Sequence, residues 1–171
     1  MSLRGRQNST NMLVGTARFL IVRLGATYLS FPADGVRGVL TKEEAGDDQT
    51  VTAAGAIYPP IDLARRLSLT AGLSGLEMRT VLYSNGHSQG AIQVEQVIGL
   101  TDVERKDCFP LPPQFQRDER NWFAGMMLYE DQLVLILNPS WALGEMASGI
   151  SASVGQVEQT VAASIAVGGQ C

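Results

Sequence analysis

Asn85-Gly86 stands between two apolar runs in RTVLYSNGHSQGAIQVEQVIGL, and no other feature limits the fold as tightly. A two-residue turn with both residues at positive φ matches the right-handed twist of paired strands, and Asn-Gly adopts it readily. The flanking runs therefore predict a β-hairpin. The same grammar recurs in RFLIVRLGATYLSFPADGVRGVL, where β-branched and aromatic residues cluster in short runs cut by glycine and proline. It predicts strands over 18–24 and 27–32 with a tight turn at Gly25-Ala26, then a short turn and a third extended piece. WFAGMMLYEDQLVLILNPSWAL predicts another hairpin, turning at Glu130-Asp131, whose return strand 132–137 stops before Asn138-Pro139.

The connecting segments are as distinctive. AAGAIYPPIDLARRLSL, residues 53–69, predicts a strand broken by Pro59-Pro60 and then a short helix that Asp62 is placed to cap. TKEEAGDDQT, residues 41–50, carries four carboxylates and no large apolar residue, which predicts a surface loop; its spacing does not fit a calcium loop. Residues 70–78 read as a Gly-Leu linker, and TDVERKDCFPLPPQFQRDERN as a further loop with an extended piece at 108–113. Residues 1–16 are polar and aperiodic, a flexible lead. From 145 onward the pattern changes: Met146, Ile150, Val154, Val157, Val161 and Ile165 recur at intervals of 4, 4, 3, 4 and 4, one face of a helix. Gly149 and Gly155 each weaken that helix by about 1 kcal/mol relative to alanine, so it needs a surface of its own domain or of another chain. The expected organisation is a lead over 1–16, a β-rich domain over 17–143 and a helical tail over 144–171.

Sliding the chain on itself by 61 places Gly25 on Gly86, Phe31 on Ile92, Ala33 on Val94, Asp34 on Glu95, Val36 on Val97 and Gly38 on Gly99 without a gap. A second echo, in another register, sets IDLARRL (61–67) against LNPSWAL (137–143). Turn, strand and acid-then-apolar order coincide, which predicts two similar lobes.

Bulk properties narrow the function. A chain of 171 residues with 45% apolar content supports one domain. Its net charge of −4 gives no electrostatic reason to bind nucleic acid or an anionic membrane. Cys108 and Cys171 fit neither a disulfide framework nor a tetrahedral metal site, and no run approaches the roughly 18 apolar residues of a spanning helix. The expectation is a soluble, unexported, cytoplasmic protein. Catalytic motifs are missing from the sequence, and the available polar groups have plainer readings. Asp62 caps a helical turn, His87 sits in a solvated hairpin turn, and Cys108 lacks a neighbouring base. No catalytic residue, metal ligand or cofactor is predicted. What stays unexplained is apolar: Val36 and Val39 in DGVRGVL, Val97 and Ile98 in EQVIGL, and Trp122-Phe123. Apolar groups on short strands beside glycines form either core or recognition patches, which favours a binding module over an enzyme.

Four segments in order, FLIVRLGATYLSFPADGVRGVL, GAIYPPIDLARRLSL, GAIQVEQVIGL and WFAGMMLYEDQLVLILNPSWAL, resemble the CheW-like chemotaxis coupling proteins over about residues 17–143. The resemblance implies a mainly β fold of two small five-stranded, SH3-like β-barrel lobes with short helices. It also implies a non-catalytic adaptor that joins chemoreceptor cytoplasmic tips to the regulatory domain of a histidine kinase, recruited to membrane receptor clusters. On it, Gly55, Pro60, Asp62, Leu63 and Gly125 are structural, and Val36, Arg37 and Val39 with Val97, Ile98 and Leu100 are the docking residues. Two positions depart from the family pattern: Ala54 precedes Gly55 where an arginine is usual, and Asn138 replaces an aspartate. A second expectation keeps the fold but assigns the work to the tail helix, through self-association or another partner, for example in control of type IV pilus motility. A third, a small-ligand receptor or enzyme, would use Asp62, His87 or Cys108.

Overall fold

The computed structural model describes residues 15–47 and 50–145. The expected lead and tail fall almost wholly outside the described residues. Within them the strands are β1 (Thr16–Leu24), β2 (Thr27–Pro32), β3 (Val36–Leu40), β4 (Val51–Ala53), β5 (Ala56–Tyr58), β6 (Pro60–Ile61), β7 (Arg79–Ser84), β8 (Gln89–Val94), β9 (Gln96–Glu104), β10 (Cys108–Phe109), β11 (Phe123–Tyr129) and β12 (Gln132–Leu137). Four helical turns join them: α1 (Lys42–Ala45), α2 (Leu63–Arg66), α3 (Glu119–Trp122) and α4 (Pro139–Ala142).

The run Phe19-Leu20-Ile21-Val22 on β1 shows why the strands stack as they do. All four side chains are buried, and the two-residue period sends Leu20 and Val22 to one face and Phe19 and Ile21 to the other. Such a strand needs cover on both faces. Leu20, Val22 and Leu24 enter the principal core with Phe31, Leu63, Tyr83 and Ile92, while Phe19 and Ile21 pack with Met127, Val134 and Ile136.

The first lobe is a six-stranded sheet in the order β10-β11-β12-β2-β1-β9, in which β12 runs parallel to β2. The second lobe holds β3-β7-β8-β6, with β6 parallel to β8, and the β4–β5 ladder. An exchange links them. β3 follows the β1–β2 hairpin in sequence but pairs with β7, whereas β9 follows the β7–β8 hairpin but pairs with β1. Each lobe therefore takes its outer strand from the other lobe's hairpin.

The internal echoes are structural. Gly25 and Gly86 are the positive-φ residues of the two matched hairpins, at 60° and 91°. In the second echo, Ala54-Gly55 joins β4 to β5 and Glu130-Asp131 joins β11 to β12, with φ of 50° and 78° in one turn and 47° and 64° in the other. Asp62 caps α2 by accepting from the Arg65 N–H at 3.0 Å, and Asn138 caps α4 by accepting from the Ser140 N–H at 3.2 Å. So β9-β1-β2-β12-β11 corresponds to β3-β7-β8 followed by β6 and the β4–β5 pair, and β10 adds a sixth strand to the first set. Their backbone ladders form sheets of six, four and two strands among the described residues, because Pro59-Pro60 divides the return strand of the second lobe where proline has no N–H to offer.

Several segments depart from expectation, among them Glu119–Trp122, a helical turn where a loop and a strand were expected. The acidic stretch is not all loop: Thr41 and Glu44 form a reciprocal capping box that starts α1. The polar residues 101–104, expected in a loop, continue β9, with Val103 packed inward and Asp102 held at the surface by Arg18 at 2.8 Å. Of the two readings left open for Trp122 and Phe123, core or recognition patch, the packing fits the first. Phe123 is buried, and Trp122 stacks on Trp141 at 5.3 Å. The guanidinium of Arg66 lies 4.3 Å above Trp141 and donates to the Ala142 carbonyl at 2.7 Å, so α2 of one lobe is tied to α4 of the other.

Candidate protein-interaction surface

β3 and β9 are the outermost strands of their sheets and carry matching irregularities. Val36 opposes Tyr83 and Gly38 opposes Leu82, leaving Arg37 as the extra residue of a bulge. On β9, Val97 opposes Val22 and Gly99 opposes Ile21, leaving Ile98 as the extra residue at the matched position. A bulge resets the two-residue alternation. It therefore brings Val36 and Val39 to one face of β3, and Val97 and Leu100 to one face of β9, although three residues separate the members of each pair.

That face is the one packed on the other lobe. Val39 opposes Val81 and Leu100 opposes Leu20, both principal-core residues. Each nevertheless lies on the outer strand where the cover ends, so Val39 is 39% exposed and Leu100 60% exposed. Val36 and Val97 are half-buried against the principal core, and Ile98 packs on the first lobe's own cluster. Arg37 is exposed. Of the six residues singled out from the sequence, Arg37, Val39 and Leu100 thus face solvent, while Val36, Val97 and Ile98 hold the edge strands in place.

Beside the start of β3 opens a cleft of about 310 Å³, lined by Pro32, Asp34, Arg37, Tyr83, Asn85 and Pro139 among others. The Tyr83 hydroxyl on its wall donates to the Pro32 carbonyl at 2.8 Å, and burial pushes this phenol well above its ordinary range. Asp34 and Arg37 form no ion pair among the described residues. The residues considered for catalysis do not converge. Asp62 is the α2 cap, His87 is exposed at the β7–β8 turn, and Cys108 packs half-buried on the first lobe's cluster. Among the described residues no group of three His, Cys, Asp or Glu side chains is arranged to hold a metal, and no helix is long and apolar enough to cross a membrane.

The family model described as the CheW-like domain matches residues 18–145. The chain belongs to this family. No functionally curated protein matches it in sequence. Among solved structures, the scaffolding protein TtCheW from Thermoanaerobacter tengcongensis is similar, with a TM-score of 0.62 at 15% identity over 72% of this chain and 85% of that one. The mainly β, two-lobed architecture is the CheW-like fold.

Of the five residues of this CheW-like domain expected to be structural, Gly55, Pro60 and Asp62 are exposed and Leu63 and Gly125 are buried. Gly55 completes the β4–β5 turn and Asp62 caps α2, while Leu63 is fully buried. Pro60 pairs alongside Ala91, and Gly125 is buried on β11 opposite Ile136. The departure at Asn138 has a local reason: its amide also donates to the Asn121 carbonyl at 3.0 Å, which an aspartate carboxylate cannot do. Sequence reasoning passed over Ile57, Phe109, Leu128 and Leu133, which are 60%, 43%, 63% and 52% exposed. The signal for two of them was present, since Leu128 and Leu133 are placed symmetrically about the Glu130-Asp131 turn and oppose each other across the hairpin.

Proposed function

We propose that this CheW-like chain is a non-catalytic adaptor in chemotaxis-type signal transduction, docking the regulatory domain of a histidine kinase through its two outer strands. Arg37 and Val39 on β3 and Leu100 on β9 make the contact, and a chemoreceptor cytoplasmic tip supplies the other side of the coupling. The observation that carries the reading is the pair of matched edges, each displaying an exposed apolar side chain beside a bulge. Family membership supports the class of partner. Edge strands with an apolar anchor suit protein contacts, since a few desolvated side chains supply most of the energy of an interface.

Titration calorimetry against the isolated regulatory domain of a histidine kinase from the same genome tests it. Leu100→Asp and Val39→Asp are the informative changes, because Val36 and Val97 pack against the core and a charge there would damage the fold. At least one of the two exposed changes is expected to weaken binding tenfold or more, about 1.4 kcal/mol, with an unchanged circular dichroism spectrum. Parent-like affinity in both variants would remove β3 and β9 from the interface.

A further inference from the structure

The corner of the fold that opens into the cleft beside β3 has a counterpart in the other half of the chain, and the two are finished differently. Under the shift of 61, Asp34 matches Glu95 and the bulge residue Arg37 matches Ile98. Glu95 is satisfied within the fold by the N–H groups of Gly25 and Gly72 and by the Arg23 guanidinium, and Ile98 packs on the first lobe's cluster. Asp34 and Arg37 are both exposed, and neither has a hydrogen bond or ion pair among the described residues. One corner is thus closed by its own groups, while the matched one presents a carboxylate and a guanidinium to solvent.

The wall that carries those two charges is preformed. Tyr83 is buried, its ring lies 5.4 Å from Phe31, and its hydroxyl is engaged by the Pro32 carbonyl. A Cβ at Gly35 would collide with the Tyr83 ring, so glycine alone lets the turn Ala33–Gly35 close over it. At the β7–β8 turn the Asn85 side-chain oxygen accepts from the His87 and Ser88 N–H groups at 2.9 and 2.8 Å, and its amide donates to Glu145 at 3.1 Å. Ser84 Oγ accepts from the Gly86 N–H at 3.2 Å. The neutral polar side chains are therefore engaged within the wall, which leaves Asp34 and Arg37 to meet a ligand. Both charges are felt at one point: beyond the effect of burial, Asp34 raises the Tyr83 phenol further and Arg37 lowers it.

A carboxylate accepts from an ammonium, and a guanidinium fork matches a carboxylate bidentately. Pro32 and Pro139 add apolar surface, and a volume of about 310 Å³ stands at the lower end of small-molecule sites. We propose that this cleft binds a compact zwitterion with an apolar side chain, an α-amino acid or a dipeptide, its ammonium on Asp34 and its carboxylate on Arg37. The apolar side chain rests on Pro32 and Pro139. Arg37 belongs also to the β3 edge, so a bound zwitterion competes with a protein partner for one guanidinium. The site stands on the cleft alone and does not depend on the kinase reading.

Nuclear magnetic resonance titration of the isotope-labelled full chain at about pH 6.5, where an α-amino group is charged, tests the site with L-leucine and glycyl-L-leucine. N-acetyl-L-leucine keeps only the carboxylate, and L-leucinamide keeps only the ammonium. At least one zwitterion is expected to give saturable amide shifts at Gly35, Arg37 and Gly86, with an affinity at least tenfold above that of either blocked analogue. The tighter of the two zwitterions sets the distance between the charges. Asp34→Asn is expected to weaken the zwitterion at least tenfold and to leave N-acetyl-L-leucine unchanged, and Arg37→Gln to weaken it equally while leaving L-leucinamide unchanged. Both residues are exposed and without partners among the described residues, so the rest of the spectrum stays parent-like and loss of binding is not loss of fold. No saturation by either zwitterion up to about 10 mM, equal affinity for a blocked analogue, or parent-like binding in either variant would overturn the proposal.

Discussion

In the first lobe, Phe19, Ile21, Met127, Val134 and Ile136 form a cluster of large side chains enclosed by the lobe's own strands. In the second, the corresponding cluster has four buried members, Val51, Tyr58, Leu82 and Ala91, two of them on the three-residue strands β4 and β5. Both lobes then share the principal core around Phe31, Leu63, Tyr83 and Ile92. Burial of apolar area stabilises roughly in proportion to its extent, so the second lobe depends more heavily on the shared core than the first does. A common strand plan thus conceals unequal self-sufficiency.

The sharpest way to break the comparison is to cut the shared core. Phe31→Ala removes a fully buried ring 5.4 Å from Tyr83 and is expected to cost about 3–5 kcal/mol in urea unfolding. Amide exchange should then accelerate more in β7 and β8 than in β11 and β12. Met127→Ala, at about 2–5 kcal/mol, should reverse that order by loosening β11 and β12 first. Equal acceleration in both lobes for both variants would mean that the two clusters act as one.

A smaller effect separates the acids matched by the shift of 61. Glu95 accepts from the backbone N–H groups of Gly72 and Gly25, both at 3.0 Å, and pairs with Arg23 at 3.2 Å, whereas Asp34 has no hydrogen bond or ion pair among the described residues. Those two N–H donors, with Arg23 adding to them, hold the Glu95 carboxyl below its ordinary range. The stabilisation is therefore complete above the unfolded value of about 4.3 and is lost as pH falls through the lower, folded one. Glu95→Gln should flatten the decline of Tm on acidification from roughly pH 6 to 3. A slope equal to that of the parent would sink the assignment.

The smallest expected effect concerns the matched turns. Glu130 and Asp131 both sit at positive φ without being glycine, while the corresponding turn has Gly55 at its second position. Glu130→Asn with Asp131→Gly should stabilise the chain by about 1 kcal/mol, read as a rise in the urea midpoint at constant slope.

Much of this plan could be read from local chemistry. The hairpins at 85–86 and 130–131, the Asp62 cap and the 61-residue echo each depend on a few neighbouring residues, and the structure reproduces them. What could not be read depends on partners distant in sequence. Val36 and Val39 look alike in DGVRGVL, and only the bulge at Arg37 together with the position of the opposite lobe makes one a half-buried support and the other exposed. Val103 is the lone large apolar residue in TDVE, too little alternation to announce a strand until Arg18 and Ala17 lie alongside. Trp122 and Phe123 stayed open between core and patch because their cover, Trp141 and Phe115, comes from other segments.

The exchange of outer strands also bears on how the chain is made. β1 leaves the ribosome about 80 residues before the end of β9, its eventual neighbour, so at roughly 5–20 residues per second its free edge waits some 4–16 seconds. Throughout that interval the β1–β2 hairpin offers an unpaired rim to any nascent neighbour carrying the same β9 sequence. An edge left open for that long is one to which the matching strand of a second chain can pair, which is the geometry of a domain swap.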